Sequence, residues 1–72
     1  MNTNQLLLDI LAKTVDPCAV LKSSLSFTDR RHTLLRAQNA AKERQSNCPL
    51  ADRWYWKQLN GRIEKAIQLL RP

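Results

Sequence analysis

Glycine occurs once in this chain of 72 residues, at Gly61, and proline three times, at Pro17, Pro49 and Pro72. A single glycine cannot build a phosphate-cradling loop, so the familiar nucleotide-binding signatures are excluded. The two cysteines, Cys18 and Cys48, are too few for a disulfide framework and are expected to be free thiols. With one histidine, His32, and no C-x-x-C pair, the ligands for a tetrahedral zinc site are missing, so no metal or other cofactor is expected. No run approaches the ~18 apolar residues of a membrane span. The stretch Leu6 to Leu11 is broken by Asp9 and preceded by neither Lys nor Arg, which argues against an export signal. The expectation is a soluble cytoplasmic protein.

Acids are also scarce, six against twelve Lys and Arg, for a formal charge of +6 and a pI near 10.0. Asp16, Asp29 and Asp52 fall where helix N-termini favour negative charge, and Asp9 stands four residues before Lys13, in the orientation for a weak intrahelical ion pair. Only Glu43 and Glu64 remain, on polar faces, so acid-base catalysis lacks candidates. Cys18 and Cys48 each fall at a helix start, where backbone dipoles can activate a thiol, and His32 could complete a dyad. Burial as small hydrophobes explains both cysteines more simply. The chain is therefore read as non-enzymatic, with no small-molecule substrate.

What the chain does contain is helical periodicity. Caps and spacing predict one domain over residues 1–72 with four helices, over 3–14, 17–25, 27–46 and 49–71. In the first, Leu7, Ile10, Leu11 and Thr14 share a face. Asp16 and Pro17 open the second, which presents Cys18, Leu21 and Leu25, with Val20 beside them. Ser26, three residues before Asp29, approximates a capping box for the third. There Phe27, Leu34 and Ala41 recur every seven residues with Ala37 between, while Leu35 points about 100° away.

The fourth segment holds the clearest pattern, Trp56, Leu59, Ile63, Ala66 and Leu70, alternating three and four residues apart. Small Ala37 and Ala41 leave room for Trp56 and Leu59 across the seam. The predicted fold class is all-α, a small bundle of three to four helices built on an antiparallel hairpin of the two C-terminal helices. At this size folding buries only about 60% of the unfolded chain's surface, and one core supplies only ~3 to 5 kcal/mol. Homo-oligomerisation or folding against a partner would relieve that shortage.

Two surfaces are candidates for binding. On the fourth helix Trp54 lies about 140° from the apolar seam, on the side of Lys57, Gln58, Gly61 and Lys65. Tryptophan and arginine are enriched among residues that dominate binding energy, so Arg53, Trp54, Lys57, Gly61 and Lys65 form a candidate site for a larger protein partner, as in a regulator, adaptor or inhibitor. Mid-helix Gly61 costs about 1 kcal/mol relative to alanine and suggests a close approach. Packing of Trp54 on the first two helices, with Gly61 admitting one of them, is the competing explanation.

The alternative is a nucleic-acid binder in which Arg30, Arg31, Arg36 and Lys42 of the third helix contact phosphates, the term that dominates non-specific affinity. Against it, the charges spread around both helices instead of forming a stripe. A membrane surface is disfavoured, because the apolar face of the basic fourth helix is needed by the bundle.

Overall fold

The computed structural model describes residues 3–71, and Pro72 lies outside them. Three α-helices form the body: α1 (Thr3–Leu11), α2 (Phe27–Asn47) and α3 (Arg53–Leu69). A 3₁₀ helix, Pro17–Lys22, lies between α1 and α2, and a 3₁₀ turn, Leu50–Asp52, leads into α3. No strand is present among the described residues, and no helix is long and apolar enough to cross a membrane. The protein is thus a small all-α bundle in which the two C-terminal helices pack closely, α2 against α3. Its radius of gyration, 11.7 Å, is close to the ~11 Å of a compact chain of this length.

Local chemistry sets the boundaries. Ser26 caps α2, its hydroxyl accepting from the Asp29 backbone N–H at 3.2 Å, as the sequence signal requires. Asp16 caps the next element upstream, accepting from Cys18 N–H at 2.8 Å with Pro17 at the first helical position. That element is a 3₁₀ helix ending at Lys22, however, and not an α-helix over 17–25. Ser23 closes it early, because its N–H and its hydroxyl both donate to the Val20 carbonyl, at 3.2 and 2.7 Å. Such three-residue closures compete with the four-residue bonds of an α-helix. The tighter turn leaves Val20 fully buried and Cys18, Leu21 and Leu25 only partly so.

Helix α1 also stops short of the expected residue 14. Lys13 takes a left-handed conformation, φ 60, and the Lys13 and Thr14 N–H groups donate to the carbonyls of Ile10 and Asp9 at 3.1 and 3.0 Å. This is the Schellman arrangement, with lysine where glycine is usual. The expected Asp9–Lys13 pair does not form across the reversal. Asp9 accepts from the Gln5 side chain at 3.0 Å, and the Lys13 ammonium sits 4.3 Å from the centre of the Tyr55 ring. Thr14 is consequently exposed rather than part of the apolar face.

The core joins all the main elements: Leu6, Leu7, Ile10 and Leu11 of α1, Val20, then Leu34, Ala37 and Ala41 of α2 and Leu59, Ile63 and Ala66 of α3. Trp56 and Leu70, the ends of the predicted seam, are half-buried against it, and Leu70 already caps α3 in extended conformation. Polar ties reinforce the packing. Arg30 donates to the Leu25 carbonyl at 2.8 Å, Arg36 to the Asn4 side chain at 2.9 Å, and Asn60 to the Gln45 side chain between α2 and α3 at 2.6 Å.

Candidate functional site

Three consecutive aromatic residues open α3, and the 100° helical step sends them three ways. Tyr55 turns to α1, where its hydroxyl donates to the Leu11 carbonyl at 2.9 Å. Trp56 is half-buried, edge-on to Tyr55 with ring centroids 4.8 Å apart and the Arg44 guanidinium 5.5 Å from its ring. Trp54 is left facing solvent, 68% exposed. With most of its surface in water, Trp54 does not pack on the first two helices.

Arg53, Lys57, Gly61 and Lys65 are exposed as well. A Cβ placed on Gly61 would meet nothing within 4 Å, so this glycine does not admit another helix of its own fold. The close approach inferred from the sequence has no occupant among the described residues. Sequence reasoning also missed two exposed apolar residues at the ends of α3. Leu50, on the turn four residues before Trp54, is 76% exposed, and Leu69, at the far end of α3, is 52% exposed. The four-residue step from Leu50 to Trp54 was visible in the sequence. Its meaning depended on knowing that the turn from Leu50 to Asp52 stands clear of the core.

The basic residues of α2 are arranged differently. Arg31 and Lys42 are exposed and lie within about 20° of each other on a helical count, whereas Arg30 and Arg36 lie about 100° and 140° from Arg31. Arg30 is half-buried, its guanidinium held by the Leu25 and Leu21 carbonyls, and Arg36 is tied to Asn4. These four cations therefore do not converge on one stripe.

The groups considered for chemistry are also dispersed. Cys18 and Cys48 are half-buried free thiols, with the Cys48 thiol donating to the Gln45 carbonyl at 3.4 Å, and His32 is exposed on α2. Among the described residues no cluster of His, Cys, Asp and Glu could hold a metal ion. An open depression of 270 Å³ is lined by Ala40, Glu43, Arg44 and Asn47, all on α2. It lacks the enclosing apolar walls of a ligand pocket. No protein-family model matches the chain, and neither does any curated protein or solved structure.

Proposed function

We propose that this chain is a non-enzymatic binding module that docks onto a larger protein through the outer face of α3, acting as a regulator, adaptor or inhibitor. The observation that carries this reading is the 68% exposure of Trp54 on a helix whose opposite face is committed to the core. A tryptophan left in water forgoes the ~2 kcal/mol or more that burial of a large side chain contributes, and a domain this small has little stability to spare. Arg53 and Lys57 beside it supply the mixed aromatic and cationic character typical of binding hot spots. The nucleic-acid alternative draws less support, because Arg30 and Arg36 spend donors on their own fold.

The test is affinity capture from the host with the immobilised wild-type chain and a Trp54→Ala variant. Capture of a protein by the wild type, lost in the variant while its thermal unfolding is unchanged, is the expected result. Equal capture by both, or capture of nucleic acid alone, overturns the reading.

A further inference from the structure

The exposed side of α3 is more specific than a lone tryptophan. On a helical count Trp54, Lys57, Gly61, Lys65 and Leu69 fall within a band about 120° wide that also takes in Gln58 and Gln68, and Leu50 lies on the 3₁₀ turn just before α3. Leu50, Trp54, Lys57, Gly61, Lys65 and Leu69 are all exposed. Between Trp54 and Leu69 the band runs about 22 Å, or four helical turns. Apolar residues mark its two ends, two lysines lie along it, and a glycine sits near its middle. The one acid of α3, Glu64, lies about 80° from Trp54, outside the band.

We propose, building on the docking function above, that this strip receives an acidic amphipathic helix of the partner, which crosses α3 at Gly61. Three features of the strip select that occupant. Trp54 and Leu69 at the ends match the spaced apolar anchors of a helix laid along a surface. Lys57 and Lys65 between them favour carboxylates, and the net charge of +6 draws an acidic partner in from a distance. Gly61 is a mid-helix glycine with open space around it, so its cost to the helix is not offset by any contact among the described residues; a missing side chain there lets a second helix axis come close.

A second copy of this chain fits poorly, because a two-fold crossing at Gly61 would set Lys57 and Lys65 of one copy against the same lysines of the other. An anionic bilayer or a nucleic acid would satisfy the lysines but would gain nothing specific from the absence of one side chain at Gly61.

A fluorescein-labelled, helix-stabilised peptide of eighteen residues, with leucines along one face and glutamates elsewhere, is titrated with the wild-type chain and read by anisotropy. The expected result is saturable binding that weakens about 30-fold in Trp54→Ala and at least tenfold in Gly61→Leu, both variants keeping wild-type thermal stability or better. Binding should also weaken with added salt and vanish for the same peptide with lysine replacing glutamate.

Four results overturn the proposal: no binding of the acidic peptide, affinity indifferent to Gly61→Leu, tighter binding to phosphatidylserine vesicles or duplex DNA, or a salt-resistant dimer of the chain itself on sizing. Any of these together with Trp54-dependent capture of a host protein refutes the acidic-helix occupant and leaves the docking function standing.

Discussion

The Tyr55 hydroxyl donates to the Leu11 carbonyl at 2.9 Å across 44 positions of sequence, fastening the first turn of α3 to the last residue of α1. The carbonyl it reaches belongs to a helix end, where the final four acceptors have no intrahelical partner. One side chain thus orients the aromatic cluster, satisfies a helix terminus and holds the shortest α-helix against the hairpin.

Replacing Tyr55 by phenylalanine removes this bond while keeping the ring, its edge contact with Trp56 and its place under the Lys13 ammonium. The expected cost is about 1 kcal/mol, the usual net value of a partly buried hydrogen bond. For a domain of this size that lowers Tm by roughly 4–8 °C, measurable by circular dichroism. An unchanged Tm would show that α1 is held by its apolar face alone.

Lys13 offers a test in which the normal ranking of residues reverses. Inside a helix, glycine is less stable than alanine by about 1 kcal/mol. At Lys13, where φ is 60, any Cβ is strained, and glycine is the residue relieved of that strain. Lys13→Ala keeps the strain and loses the cation–π contact with Tyr55, and should cost about 0.5–1 kcal/mol. Lys13→Gly loses the same contact but relaxes the backbone, and should fall within about 0.5 kcal/mol of wild type. Side-by-side thermal melts should therefore place the glycine variant above the alanine variant. The opposite order would place residue 13 inside a continued helix.

The apolar residues should divide sharply by location. Ile63 is fully buried in α3 and contributes to the core from the middle of the seam. Truncation to alanine removes buried methylenes and leaves a cavity, a loss of about 2–5 kcal/mol. That approaches the whole stability expected of one small core, so Ile63→Ala should lose its cooperative urea transition or shift it near zero denaturant. Leu50→Ala and Leu69→Ala, in contrast, should stay within about 0.5 kcal/mol of wild type, because both side chains already face water. A large loss at Leu50 would mean that the turn into α3 is buttressed through this side chain.

Local signals in the sequence were read correctly where local physics decides. The three-and-four spacing of Leu59, Ile63 and Ala66 specifies a buried face because helical geometry alone puts those side chains together, and they are all buried. Ser26 likewise caps α2 through a bond spanning three residues. The misreadings lie where distant parts of the chain or competing short-range bonds intervene. The end of α1 depends on the left-handed turn at Lys13 and on Tyr55, far away in sequence. The 3₁₀ form of the segment from Pro17 depends on Ser23 capturing the Val20 carbonyl. In the candidate site, the off-seam position of Trp54 was legible from the helical count. The exposure of Leu50 and Leu69 was not, because it depends on where α3 begins and ends relative to the other elements.

Gly61→Ala separates folding from function within a single substitution. The glycine lies inside α3 with an ordinary helical backbone, and an added Cβ would meet nothing within 4 Å, so no steric penalty opposes the change. Alanine lowers the entropy of the unfolded chain and favours the helix, and the variant should be more stable by about 0.5–1 kcal/mol, raising Tm by several degrees. If Gly61 served only the fold, replacing it would be a gain without penalty. On the docking reading the same methyl group enters the contact, and the variant should bind the partner more weakly than wild type while melting at a higher temperature. A destabilised Gly61→Ala would mean that some part of the chain approaches α3 after all. A stabilised variant with undiminished binding would move the contact off this stretch of the helix and back toward Trp54 alone.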